Sequence, residues 1–263
     1  MSFRHTLQGS RYEMKYLIDE PCARAVAEFA MAYLEPDEYA ATRPNYEYPV
    51  HSLYLDSPDL ALCRASLHGE RNRFKLRIRV YDDDPASPAF FEIKRRLDSV
   101  ILKRRAAVQR SSVQRLLAGQ WPHLTDLQQT NHGMYYGALQ HFCGLQSTVR
   151  AEGMIFVSYV REAYVTPNEN TVRVTFDRRI RTRRYNNDFS VADSPDWVDP
   201  RVNGVVLEIK FTDRFPIWVR DMVRMFNLDR RSMAKYVTCV RALSYPGTLI
   251  AQTHLANFRE KRA

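Results

Sequence analysis

The sequence predicts an α+β fold built on about eight β-strands, each with one apolar and one charged face, and helices between some of them. Three observations predict it. Residues 74–81, FKLRIRVY, set Phe74, Leu76, Ile78 and Val80 on one side and Lys75, Arg77, Arg79 and Tyr81 on the other, the period-two pattern of a half-buried strand. The same alternation recurs in segment after segment. Between several of these lie stretches with helical apolar spacing that can cover the apolar faces. Two architectures satisfy the pattern. One is an open sheet under helices with its charged face in water. The other is a sheet closed into a barrel, charged faces inward and helices outside, which also removes exposed strand edges.

Each element has its own signature. RYEMKYLI (11–18) alternates Tyr12, Met14, Tyr16 and Ile18 with Arg11, Glu13, Lys15 and Leu17, a first strand. PCARAVAEFAMAYL (21–34) is helical, with Pro21 suited to a first turn. YPVHSLYLDS (48–57) reads as a strand ending in a turn, and PDLALCRASLHGE (58–70) as a short helix. After the turn-rich DDDPASP (82–88), AFFEIKRR (89–96) sets Phe91 and Ile93 against Glu92, Lys94 and Arg96. SVILKRRAAV (99–108) opposes Leu102, Ala106 and Val108 to Lys103 and Arg105, with Arg104 out of pattern. Residues 111–147 are helical, best in SVQRLLAG and GMYYGALQHFCGL.

Strands resume at 154–165 and 171–181. The polar stretch 187–201 is long enough for a rim or lid. GVVLEIKFT (204–212) is a strand with Glu208 and Lys210 opposite Val205, Leu207, Ile209 and Phe211. Residues 216–228 and 232–243 read as amphipathic helices, and a basic tail follows from Thr253. No shift in composition marks a boundary, so the chain reads as a single domain, 1–263, with its core at about 8–243 and its basic tail at 253–263.

Composition narrows the function. Hydrophobic residues make up 45% of the 263, enough for a sizeable core. The net charge of +9 favours an anionic partner: nucleic acid, an anionic membrane or phosphorylated small molecules. Cys22, Cys63, Cys143 and Cys239 are scattered with no zinc-type spacing, which suggests reduced thiols in a cytoplasmic protein. The N-terminus lacks a signal-peptide core, and no apolar run is long enough to span a membrane. No phosphate-binding GxxxxGK[ST] and no GxSxG occurs, and the histidines are scattered. Nucleic acid is disfavoured, because the cationic faces carry few aromatics beyond Tyr81 and Tyr159 for stacking bases.

The repeated feature is the charged face. It collects Glu13 and Lys15; Lys75, Arg77 and Arg79; Glu92 and Lys94; Lys103 and Arg105; Tyr159 and Arg161; Arg173, Thr175 and Asp177; Glu208 and Lys210. For one basic residue, a solvated or ion-paired surface role is the ordinary explanation. Repetition across strands points instead to a shared anion site, with a few carboxylates to hold a metal.

RYEMKYLI, VHSLYLDS, KLRIRVY, FFEIKRR, VREAY, VRVTFD, VVLEIKF and SMAKYV, in that order, resemble the VTC domain, the polyphosphate polymerase domain of the triphosphate tunnel metalloenzyme superfamily. The resemblance implies a closed eight-stranded antiparallel β-barrel with a polar, cationic lumen and helices packed outside. It implies ATP, triphosphate and polyphosphate as ligands and Mn²⁺ or Mg²⁺ as cofactor, with the γ-phosphate of ATP added to a growing chain. Carried over residue by residue, Lys15, Arg77, Arg79, Lys94, Arg161, Arg173, Lys210 and Lys235 become the catalytic set. Lys75, Lys103 and Tyr159 join them in substrate binding. Glu208 is the metal ligand, with Glu13, Glu92 and Asp177 as further metal candidates.

Two departures stand out. Hydrolases of the superfamily open with ExExK, whereas Arg11 occupies the first acidic position here; fewer carboxylates favour phosphate over water as the attacking group. Ala234 precedes Lys235 where many VTC domains have serine. The alternatives are a triphosphatase using the same site, or a module that binds polyphosphate or nucleotide without turnover. The resemblance leaves room for a membrane-protein partner encoded by another chain.

Overall fold

The computed structural model describes residues 11–98, 100–128, 132–169, 171–212, 214–231 and 233–243. The basic tail from Thr253 lies outside the described residues. In chain order the elements are β1 (Arg11–Ile18), α1 (Glu20–Met31), the short β2 (Glu35–Pro36), β3 (Glu47–Asp56), α2 (Ala61–Leu67), β4 (Asn72–Val80), β5 (Ala89–Leu97) and β6 (Val100–Val108). They continue with α3 (Val113–Leu117), α4 (His132–Thr148), β7 (Glu152–Val165), β8 (Val172–Arg184), β9 (Val205–Thr212), α5 (Ile217–Met225) and α6 (Lys235–Ala242). None of the described helices is long and apolar enough to cross a membrane.

The strand order is β1-β9-β8-β7-β3-β4-β5-β6, with β2 paired to β7. This corrects the expected closed eight-stranded barrel and its lumen. The path is open: β1 stands at one end beside β9, β6 at the other beside β5, and no pairing among the described residues joins the ends. The register-resolved pairings are antiparallel, and the α+β class holds. Alternation dictates which face a residue takes, not which strand lies beside which. The terminal strand β6 carries Lys103, Arg104 and Arg105 in succession, and charges on an edge strand discourage a further strand from pairing.

The chain divides into two units. The first comprises Met1–Pro49, Tyr159–Ile180 and Val202–Met233. Here cross-strand rows build the core: Tyr16 faces Leu207, which faces Phe176, and Met14 faces Ile209, which faces Val174. Helix α1 covers this surface with Ala23, Val26, Ala27 and Ala30, one stripe at helical spacing. Asp19 starts that helix by accepting from the Cys22 amide at 2.8 Å, with Pro21 in the first turn where its missing N–H costs nothing. Val219 and Met222 of α5 add to the same core.

The second unit comprises Val50–Ser158, Arg181–Arg201 and Ala234–Ala263. Its apolar rows are Leu53–Ile78–Phe91–Ala106 and Leu55–Leu76–Ile93. Helix α4 packs on them. The Phe91 and Phe142 rings meet edge-on at 4.9 Å, an arrangement that contributes about 0.5–1.5 kcal/mol beyond area burial. The polar stretch expected as a rim or lid is fastened down. Asp83 accepts from the Val191 amide at 2.8 Å and from Ser190 Oγ at 3.0 Å. Thr182 and Val198 exchange both backbone hydrogen bonds, and Phe189, Val191 and Trp197 pack against the core.

Candidate functional site

The charged face of β4–β6, in the second unit, is ordered in rungs. Residues directly opposite in an antiparallel sheet share a face, so register alone assembles them. Lys75 faces Lys94, which faces Lys103. Two residues along, Tyr54 faces Arg77, Arg77 faces Glu92, and Glu92 faces Arg105. Next, Ser52 faces Arg79, which faces Phe90. Three lysines directly opposite one another repel, and like charges in such positions cost stability.

Glu92 is the counter-charge. It is buried and accepts from Arg77 Nε at 2.7 Å. Its other oxygen lies 2.9 Å from Lys103 Nζ and 3.4 Å from Arg105 Nε, and Arg79 Nε stands 4.0 Å from the first. Burial alone would raise this carboxyl, but Arg77, Arg79, Lys103 and Arg105 outweigh burial and hold it well below the usual range. Lys103 moves the other way. Burial of its ammonium, with Arg77, Arg79 and Arg105 nearby, pushes it down to about 7 against the pull of Glu92. Half of the Lys103 side chain remains exposed, so solvent screening moderates that shift.

Tyr54 ties this face to α6. Its hydroxyl accepts from Arg77 Nη1 at 3.3 Å. Burial raises the phenol, but Arg77, Lys75 and Arg79 overcome it and bring the group to about 8. The Tyr54 ring stacks on Tyr236 with centroids 4.6 Å apart. Tyr236 in turn donates to Asp56 at 2.7 Å, and Asp56 also accepts from the Ser57, Leu62 and Cys63 amides. Lys235 opens α6 immediately before Tyr236.

The first unit holds the other candidates in a network whose cations meet carboxylates. Lys15 faces Glu208 across β1 and β9, and Glu13 faces Lys210. Lys15 Nζ lies 3.0 Å from Glu13 and 3.2 Å from Glu208, and Lys210 Nζ donates to Glu208 at 2.7 Å. Burial works to lower the Lys15 ammonium, but Glu208 and Glu13 raise it well above its ordinary value. Arg161 binds Asp177 through two parallel hydrogen bonds, 2.7 and 2.9 Å, and its guanidinium sits 5.2 Å from the Tyr159 ring. Arg173 pairs with Asp37, and Tyr48 donates to the same carboxylate at 2.9 Å.

This donor chemistry decides which carboxylates suit a hard divalent cation. Among the described residues no three His, Cys, Asp or Glu side chains form a metal cluster. Magnesium-type sites, however, need only one or two carboxylates, the rest coming from water and phosphate oxygens. Glu13 and Glu208 meet that need. Beside them, Thr175 faces Glu208 across β8 and β9, and its buried Oγ1 has no hydrogen-bond partner among the described residues. Glu92 is encircled by four cations, and both oxygens of Asp177 are held by Arg161. Glu208 also meets cations, Lys15 at 3.2 Å, Lys210 at 2.7 Å and Arg161 at 4.0 Å, which a metal held there has to displace.

The sequence sets Arg105 on the charged face without giving it a role, and it does not mark Asp37, Tyr48, Tyr54 or Tyr236 as site residues. Tyr54 and Arg105 carried a signal, because each shares a face with Arg77 in a strand of known phase. Asp37 carried none: it lies 136 residues from Arg173.

A family model described as the VTC domain matches residues 10–244. No curated protein matches the chain with significance. Two solved structures are similar in outline. A candidate adenylate cyclase from Bacillus halodurans is 11% identical, with 87% of this chain and 96% of that one covered at a TM-score of 0.48. A candidate adenylyl cyclase from Hippeastrum, described as having a dominant triphosphatase activity, is 13% identical, with 95% and 96% covered at a TM-score of 0.43.

Proposed function

Because the chain belongs to the VTC domain family, we propose that it is a metal-dependent polyphosphate polymerase, moving the γ-phosphate of ATP onto a growing polyphosphate chain. The observation that carries this reading is the rung of Lys75, Lys94 and Lys103 beside Arg77 and Arg105. Such a concentration of like charge is costly to a fold on its own and becomes favourable when a polyanion neutralises it.

Phosphoryl transfer asks chiefly for positioning and charge neutralisation. A terminal oxygen of the chain attacks the γ-phosphorus, the bond to the β-bridging oxygen breaks, and ADP leaves. The attacking oxygen is already anionic, so no side chain has to remove a proton. Arg77 and Arg79 in the second unit, and Arg161 and Arg173 in the first, each offer the guanidinium fork that suits nonbridging phosphate oxygens. Lys15, Lys75, Lys94, Lys103, Lys210 and Lys235 add point charges, and Tyr159 packs beside Arg161. Glu208 and Glu13 are the residues suited to hold Mn²⁺ or Mg²⁺, which supplies charge neutralisation at phosphate oxygens when bound. The four free cysteines support a cytoplasmic location.

The test is incubation with ATP and Mn²⁺, followed by a gel stained for polyphosphate. The reading expects long chains that vanish in Arg77→Ala. Orthophosphate without chains makes the protein a triphosphatase. Neither product, with triphosphate still raising the melting temperature, makes it a binding module.

A further inference from the structure

The basic face of β4–β6 continues past the residues assigned above. Arg73 and Arg96 face each other directly, one step outward from Lys75 and Lys94. Arg96 donates from Nε to the Asp98 carbonyl at 2.7 Å, and Arg73 donates to the Glu70 carbonyl. Burial and then Arg96 lower the Arg73 guanidinium, with Glu70 opposing them. Four rungs therefore follow in sequence: Arg73–Arg96, Lys75–Lys94–Lys103, Arg77–Glu92–Arg105 and Arg79–Phe90. Glu92 is the sole acid on this face of the three strands.

The ladder has a length and a direction. At 3.3–3.4 Å per strand residue, Arg73 to Arg79 spans about 20 Å, far more than a triphosphate covers. Side-chain exposure falls along it, from 50% at Lys103 through 31% at Arg105 and 19% at Arg77 to 8% at Arg79. Arg96, at the outer rung, is exposed. The ladder thus opens to solvent at Arg73 and Arg96 and deepens toward Arg79. The outer rung has no aromatic side chain, and inward the Phe90 ring is covered by the Arg105 guanidinium at 3.5 Å. A chain with charge at every repeat and no bases suits such a track better than a nucleic acid, which gains from stacking.

We propose that Arg73 and Arg96 form an outer phosphate subsite, which engages a linear polyphosphate beyond the reach of three phosphates and makes affinity grow with chain length. The proposal rests on the polymerase reading for its class of ligand. It adds that the protein grips a long chain at a rung that a triphosphate on the inner rungs does not reach.

The test is calorimetric titration without ATP or metal, using tripolyphosphate and long-chain polyphosphate, on the wild type and on Arg73→Gln/Arg96→Gln. Wild type binds the long chain more tightly than tripolyphosphate. The double variant loses about tenfold on the long chain and less than about twofold on tripolyphosphate. Equal losses on both ligands, or none on either, overturn the subsite. An oligonucleotide that binds wild type as tightly as long polyphosphate overturns the choice of ligand. Should the double variant not fold, Arg96→Gln alone, at an exposed side chain, carries the same contrast at about threefold. Binding is read without turnover. A protein that makes no polyphosphate from ATP refutes the polymerase reading and leaves the length dependence to stand or fall by itself.

Discussion

Arg77 donates from Nε to Glu92 at 2.7 Å, and the two residues face each other directly across β4 and β5. Glu92 is a buried carboxylate that serves four cations, of which Arg79 is itself buried and Arg77 partly so. Removing its charge leaves those cations facing one another.

Glu92→Gln is therefore predicted to destabilise the fold by about 3–5 kcal/mol, the usual cost of removing one partner from a buried ion pair. The same change removes the negative charge from a basic face, so tripolyphosphate affinity is predicted to rise. Urea denaturation and calorimetry read the two effects, and movement in the same direction refutes the counter-charge role. The sign with pH follows from the depressed carboxyl. Its stabilisation is fully present above the unfolded value near 4.5 and is lost as pH falls through the much lower folded value.

Lys103 has the opposite sign. Its ammonium is pushed down from 10.5 to about 7, so the unfolded chain binds more protons between those values and stability rises with pH across that window. A bound polyanion favours the charged form, so affinity for tripolyphosphate falls as pH rises through about 7 and above. Binding at pH 8 then takes up protons, visible as a dependence of the heat on buffer ionisation. Lys103→Met is expected to flatten that dependence; an unchanged proton uptake assigns it to another group.

Lys15 bridges Glu13 and Glu208 and competes with any cation for them. Glu208→Gln is predicted to weaken Mn²⁺ binding at least about tenfold, while Lys15→Met strengthens it, because one change removes a ligand and the other a competitor. Electron paramagnetic resonance of free Mn²⁺ reads both. Equal affinities in wild type and Glu208→Gln exclude the acid pair as the metal site.

Tyr236→Phe removes the hydrogen bond to buried Asp56 while leaving a ring to stack on Tyr54. A loss of about 1–3 kcal/mol is expected in thermal or urea unfolding, the cost of an unsatisfied buried acceptor. A variant as stable as wild type shows that the backbone amides of Ser57, Leu62 and Cys63 suffice for Asp56.

Which side of each strand a residue takes is legible from alternation alone. Alternation in 74–81, 89–96 and 204–212 sorted Arg77 from Ile78, Glu92 from Phe91 and Glu208 from Leu207, and the structure sorts them the same way. That follows from the pleat, a property of the local backbone. The tertiary structure alone decided the partners. It set the open strand path in place of the closed barrel, gathered four cations around Glu92, gave Arg173 to Asp37 and seated Tyr236, 180 residues along the chain, on Asp56. Pairing and register depend on how distant segments pack, and a period of two carries no information about which strand comes to lie beside which.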